Sequence, residues 1–308
     1  MADPTAKMVN EALLDRLADS GMKKEAQDAV TDYVRMRVRE DGFLRRIMNP
    51  VQISNDQLDR QVDTDKPVKI VDMEPDSPAA QSVPFATLPS NRYIRGRRCR
   101  VMFDRIETPR FTKDVTELRT YDMDIRQVLS DNAIKDVLAE EDGKFTQAIA
   151  QIIGVAGSTV TETGSIQHQD ISGGITRDTI PDAMKILPST PSHLNCATVL
   201  VNNITIWDIV KWERPEVGGD LAQELLINGF AERTLFGCRW IITIKTTLVP
   251  TNSIFMFAEP KFMGKFFVLE DTTMYIDRKA FLLEFFAYEE IGATIANVAS
   301  VARANFTA

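Results

Sequence analysis

Arg92-Tyr-Ile-Arg-Gly-Arg-Arg-Cys-Arg-Val-Met-Phe-Asp104 is the stretch on which the fold turns. Five arginines, Arg92, Arg95, Arg97, Arg98 and Arg100, fall within nine residues with no acid among them, and the stretch is strand-like. In a strand Arg98 and Arg100 share one face with Arg92 in phase, while Arg95 and Arg97 share the other. Upstream, Lys66-Pro-Val-Lys-Ile-Val-Asp72 also alternates, with Val68 and Ile70 on one face. Between the two lie Pro75, Pro78, Pro84 and Pro89, with no strong period. Two strands around a long Pro-rich tip describe an extended hairpin. A loop of that length inside a compact domain usually has a binding role.

A ribbon this basic repels itself and needs anionic partners, either phosphate or the carboxylates of a neighbouring chain. The opposite limb offers Asp72, Glu74 and Asp76. A nucleic-acid ribbon usually interleaves exposed aromatics or sits in a basic chain. Here Tyr93 is the aromatic available, and 36 basic against 44 acidic residues give 36 − 44 = −8. Planar Arg–carboxylate pairs between subunits are therefore the favoured reading, with nucleic-acid binding and a solvated face as its competitors. A second cluster, Arg35, Arg37, Arg39, Arg45 and Arg46, is tempered by Asp32, Glu40 and Asp41. It fits an interface and an ordinary charged helix end equally well.

Outward from the hairpin, residues 7–39 carry a thin apolar stripe (Val9, Leu13, Leu17, then Ala26, Ala29, Val30, Tyr33, Val34) and read as a helical arm lying on another surface. Leu44 to Asp63 reads as irregular. Thr120 to Gly154 has the strongest helical period, through Ile125, Val128, Leu129, Ile134, Val137, Leu138, Phe145, Ile149, Ile152 and Ile153, with Asp142-Gly143 as a point of kink or division. Gly154 to Asp178 is rich in Gly, Ser and Thr and reads as loop. Strands are expected at 197–202, 238–249, 254–258, 265–269, 273–277 and 279–288. In the last of these Phe281, Leu283, Phe285 and Ala287 form one apolar face. Short helices are expected at 205–212 and from Asp220 to Ile227. The fold class is α+β, with a helix packed on one sheet and a second sheet in the C-terminal half. There is no internal repeat.

Composition limits the function classes. With 44% hydrophobic and 26% charged residues the chain can bury a core, which excludes wholesale disorder. No run approaches the roughly eighteen apolar residues that cross a bilayer. Cys99, Cys196 and Cys238 are widely spaced, without C-x-x-C, and suggest neither a disulfide framework nor a zinc site. The stretch Gly157-Ser-Thr-Val-Thr-Glu-Thr-Gly164 lacks the lysine of a phosphate-binding loop, and neither G-x-G-x-x-G after a strand nor G-x-S-x-G occurs. No cofactor or metal is expected. His168 with Asp170 forms half of a hydrolytic or metal site, but without a third group nearby both read as exposed loop residues. His193 with Cys196 reads as a turn before a strand. The acidic pairs Glu140-Glu141 and Glu289-Glu290, adjacent in sequence, are expected to diverge and to be solvated.

The succession of helical arm, long hairpin with Pro in its tip and Arg in its returning limb, long helix, Gly/Thr loop, aromatic-rich α/β region and apolar closing strand resembles the major capsid proteins of tailed bacteriophages, the Hong Kong 97-type fold. Arg105-Ile-Glu-Thr-Pro-Arg-Phe-Thr-Lys113 with Thr120-Tyr-Asp-Met-Asp-Ile-Arg126 resembles their passage from extended loop to spine helix. Phe281 to Asn297 and Val298 to Phe306 resemble their closing peripheral strands. The resemblance implies an N-terminal arm over 1–62, an extended loop over 63–104, a peripheral domain over 105–178 and 273–308, and an axial domain over 179–272. It implies self-assembly as pentamers and hexamers into an icosahedral shell around phage double-stranded DNA, within a virion built in the bacterial cytoplasm. A separate scaffolding protein, a portal and a decoration protein are the implied partners, with no membrane. The alternatives are an encapsulin-like compartment shell and an oligomeric hydrolase using His168 and Asp170.

Overall fold

The computed structural model describes residues 42–73, 96–120, 125–210 and 233–307, with isolated positions between 8 and 16 and between 82 and 91. The expected helical arm over 7–39 and the helix from Asp220 lie outside the described residues. So do Glu74, Asp76, Arg92, Arg95, Arg35, Arg37 and Arg39, and of Arg97 the backbone alone is described.

In chain order the elements are α1 (Phe43–Ile47), β1 (Pro50–Gln52), β2 (Val68–Met73), β3 (Arg97–Met102), β4 (Asp104–Glu107), β5 (Phe111–Asp114), α2 (Val115–Thr120) and α3 (Ile125–Ile153). Then come β6 (His168–Ser172), α4 (Thr179–Met184), β7 (Thr198–Asn202), α5 (Ile206–Val210), β8 (Arg233–Leu235), β9 (Cys238–Thr243), β10 (Ser253–Phe257), α6 (Pro260–Met263), β11 (Gly264–Lys279), β12 (Leu282–Ile295) and β13 (Val301–Thr307). The class is α+β.

Helix α3 organises the body. Its 29 residues span about 43 Å at 1.5 Å per residue. One stripe is buried throughout, through Ile134, Val137, Leu138, Phe145, Ile149 and Ile153, at the three-and-four spacing that keeps a helix face toward a core. The helix does not divide at Asp142-Gly143, because the Asp142 carboxylate is engaged by neighbours instead of competing for its own backbone. It stops at Gly154, whose φ of +65° suits a residue without a side chain.

A five-stranded sheet is ordered β1-β11-β12-β4, with β5 also pairing β12. Its centre is the long antiparallel pair β11–β12, and β1 joins β11 in parallel, Val51 beside Phe267. Leu283, Phe285, Ala287, Glu289 and Ile291 alternate onto the buried face, where Ala287 packs with Ala133 and Val137 of α3. Phe281, expected on that face, sits instead in the turn between the strands and is 77% exposed. A second sheet of six strands is ordered β6-β13-β10-β7-β9-β8, and every residue of β7 and β10 is buried. One face covers a core with α4 (Ile180, Val199, Ile254, Met256, Phe306). Its other face shares a core with α1, α3 and the five-stranded sheet, through Leu200, Phe257, Phe145, Phe266 and Ile291.

Two further expectations change. The segment 44–63, read as irregular, contributes α1 and β1, with Phe43, Leu44, Ile47 and Met48 buried in the shared core. The span 154–178, read as loop, contains β6, which pairs in parallel with β13. The closing strand β13 lies between β6 and β10 in the six-stranded sheet. Its residues Val301, Ala302, Ala304 and Phe306 are apolar and small enough to bury against β10, Phe255 facing Arg303 across the ladder.

Candidate assembly surface

The hairpin limbs expected from sequence pair as β2 and β3, antiparallel, from Val68 opposite Met102 to Met73 opposite Arg97. Opposed residues share a face. Val71, Cys99 and Val101 turn toward the body, where Val101 packs with Phe103, Ile53 and Phe267, and Cys99 Sγ lies 3.1 Å from Thr294 Oγ1. Ile70, Asp72, Arg98, Arg100 and Met102 turn outward. Contact with β12 is close because position 292 is glycine: a Cβ there would lie 3.0 Å from Val101 Cγ1 and 3.1 Å from the Met102 carbonyl.

Arg98 and Arg100 are both exposed on that outer face, as their spacing predicts. Arg98 Nε donates to Asp72 Oδ1 across the hairpin at 3.0 Å, and Arg100 Nη1 donates to Asp63 Oδ2 at 2.5 Å and to Gln61 Oε1 at 3.2 Å. The arginines described on this face are thus not uncompensated; each has a carboxylate of its own chain. The Arg100 bond holds the Asp63 carboxyl below the usual range. Such exposed pairs are weak because water and salt screen them, so carboxylates of another chain compete for the same guanidinium groups at little cost.

Arg45 and Arg46 part company. Arg46 is half-buried, and its carbonyl accepts from Arg239 Nη1 at 3.3 Å. Arg45 was expected at a subunit contact and is instead enclosed by its own chain, 5% exposed. Its Nε donates to both Glu141 oxygens at 3.1 Å, its Nη2 to Glu289 Oε2 at 2.9 Å, and its Nη1 lies 3.5 Å from Asp271 Oδ1. Glu141 and Glu289, expected on the solvated surface, are fully buried around it. Asp142 is buried as well, accepting from the Leu44 N–H at 3.0 Å and from Lys245 Nζ at 2.6 Å. Each sequence pair does diverge, Glu140 being exposed and Glu290 bonding Arg105 on the outer side, but the diverging partner in each case is buried instead of solvated. The signal was present in sequence: Leu138, Glu141, Asp142 and Phe145 continue the buried helical stripe, and Glu289 continues the alternation of Leu283, Phe285 and Ala287.

His168 is 7% exposed in β6 rather than in an open loop. Its Nδ1 faces the Gly154 carbonyl at 2.8 Å and its Nε2 faces Asn305 Nδ2 at 2.9 Å, and the same Asn305 amide donates to Asp170 Oδ1 at 2.8 Å. Both ring nitrogens are engaged, one at the end of α3 and the other on β13, which explains the residue without chemistry. His193 turns to the Pro188 carbonyl at 3.0 Å, and Cys196 Sγ to the Thr198 carbonyl at 3.5 Å. Among the described residues no cluster of His, Cys, Asp and Glu could hold a metal, and no helix is long and apolar enough to cross a membrane.

Sequence reasoning missed a second outward surface, on the five-stranded sheet. Tyr275, Phe286 and Tyr288 form an aromatic ladder with centroid spacings of 5.1 and 6.1 Å. Arg110 lies over Phe286 at 5.4 Å and Arg105 over Tyr288 at 5.6 Å. At the end of this sheet Phe281 and Leu282 are exposed, an apolar tip.

A helix of this length packed on a long hairpin, a second mixed sheet sharing its core, and a charged two-stranded ribbon define an α+β fold. Compared by sequence, the chain matches no protein-family model and no curated protein. Compared by structure, it is similar to the chain of the bacteriophage PhiM1 mature capsid, with a TM-score of 0.58 over 87% of each chain at 9% identity. The capsid of an empty GTA particle gives a TM-score of 0.59 over 86% of this chain and 90% of that one, at 16% identity. A virus-like particle from Pyrococcus furiosus gives 0.56 over 90% and 98%, at 15% identity. The chain has the Hong Kong 97-type capsid fold.

Proposed function

We propose that the chain is a major capsid protein that assembles as pentamers and hexamers into an icosahedral shell around phage double-stranded DNA. The observation that carries this reading is likeness of fold over nearly the whole chain to capsid chains, in a molecule whose hairpin base packs on its body. We take α3 with the five-stranded sheet as the peripheral part and the six-stranded sheet as the axial part. One chain that closes rings of five and six needs heterologous contacts that tolerate two angles. Exposed Arg98 and Arg100, and the apolar tip at Phe281 and Leu282, supply contacts of that kind: individually weak, and stable when repeated hundreds of times. The arginines serve neighbouring subunits, and a chain of net charge −8 encloses DNA without gripping it. A structural role leaves no enzymatic activity for the chain. Scaffolding, portal and decoration proteins are its expected partners, and the bacterial cytoplasm its place of assembly.

Replacing Arg98 and Arg100 together by glutamate tests the reading. The variant is expected to fold with stability within about 1 kcal/mol of the parent, since both pairs are exposed. It is expected to sediment as subunits or small rings; normal shells from this variant would sink the contact role. The likeness to a virus-like particle favours one second reading, a cargo compartment of the encapsulin type. Particles of that kind would contain protein cargo and no nuclease-protected DNA.

A further inference from the structure

Six ionisable side chains meet where α1, α3 and the β11–β12 pair come together: Arg45 from α1, Glu141 and Asp142 from α3, Asp271 from β11, Glu289 from β12, and Lys245 from the turn after β9. Lys245 and Asp142 neutralise one another at 2.6 Å. That leaves Arg45 facing Glu141, Glu289 and Asp271. With all three ionised, the enclosure would hold two negative charges in excess. Glu141 and Glu289 lie side by side on the Nε–Nη2 edge of the guanidinium, each with a fully buried side chain. Arg45 and the Thr272 hydroxyl, at 2.9 Å each, satisfy Glu289 Oε2, yet Glu289 Oε1 is buried with no hydrogen-bond partner. A bare oxygen on a fully buried carboxylate is costly, and so is an excess of like charge out of water. A proton between the two carboxyls gives the bare oxygen a partner and halves the excess charge.

We propose that Glu141 and Glu289 hold one proton between them, and that this proton latches α1 onto α3 and the β11–β12 pair. Burial works most against ionisation, helped by Glu289 at Glu141 and by Asp271 at Glu289, and outweighs the pull of Arg45. The Glu141 carboxyl is thereby pushed up to about 8, and Glu289 is raised as well. Because the proton is bound more tightly in the folded chain, its contribution is complete below the ordinary glutamate range. It declines as pH rises from there and has gone once pH passes about 8. Above that point, repulsion within the enclosure works α1 loose. The latch is a property of the single subunit and does not depend on the shell reading.

Hydrogen exchange of the full-length chain between pH 6 and 9, corrected for the intrinsic rates, tests this against Glu289→Gln. The amide keeps a donor where the shared proton would sit and has no charge to lose. In the parent, protection of the α1 backbone is expected to fall by about tenfold per pH unit up to about pH 8, the slope of one proton, and to level off beyond it. In Glu289→Gln it is expected to stay flat across the same range. Parallel slopes in the two proteins, or a flat parent, overturn the proposal. Should Glu289→Gln fail to fold, carboxyl NMR titration of the parent decides: one glutamate titrating above pH 7 upholds the latch, and none doing so overturns it.

Discussion

Gly292 shows how much a single position can hold. It brings β12 close under the hairpin, and a methyl group would press on Val101 Cγ1, the Met102 carbonyl and Phe103 Cδ1, each within 3.1 Å. Two of those neighbours are packed in the core and the third is backbone, so relief requires the hairpin to move. Gly292→Ala is expected to cost about 1–3 kcal/mol in denaturant unfolding and to raise proteolytic nicking of the hairpin. A change under about 0.5 kcal/mol would mean that the hairpin base is not close-packed. At this scale the sequence spoke unevenly. Alternation correctly turned Arg98 and Arg100 outward together. It gave no warning that Arg45 would face inward, because a buried arginine is set by carboxylates 96 and 244 positions away. The helical and strand periods did place Glu141 and Glu289 on buried faces. An assumption that acids are solvated overrode both.

Among elements, α3 was the most legible and the paired strands of the long hairpin nearly so, because local period determines both. Long-range pairing was not legible. Strand β11 reads as two pieces, 265–269 and 273–277, since Glu270, Asp271 and Thr272 interrupt the alternation. The structure keeps them in one strand with register shifts between Val268 and Thr273, which aim Asp271 and Thr272 at the Arg45 enclosure. Strand β13 has no local feature that selects its sheet; pairing with β10 and β6 does. Helix α3 joins the parts through Phe145, whose ring lies 5.8 Å from Phe257 of the six-stranded sheet and 6.5 Å from Phe43 of α1. Phe145→Ala is expected to cost about 3–5 kcal/mol in thermal or denaturant unfolding, because three elements cannot all collapse into the space. A loss below about 1 kcal/mol would contradict a core shared between the two sheets.

For the molecule as a whole, the net charge of −8 averages unlike regions. Arginines line the outer face of the hairpin, a lattice of Arg, Glu and aromatic rings covers the five-stranded sheet, and an acidic enclosure is sealed inside. The order of elements along the chain carried the resemblance to capsid proteins, and the structure bears out that fold. What order alone did not convey is that residues 43–52 belong to the body, with β1 completing the five-stranded sheet. Shell formation is a claim about many copies, and it is tested most directly by imaging them. Negative-stain electron microscopy of the purified, full-length chain, expressed with its scaffolding partner where one is required, is expected to show closed particles of uniform diameter with icosahedral symmetry. A field of isolated subunits or open aggregates, from protein that is folded by its unfolding transition, would contradict the account.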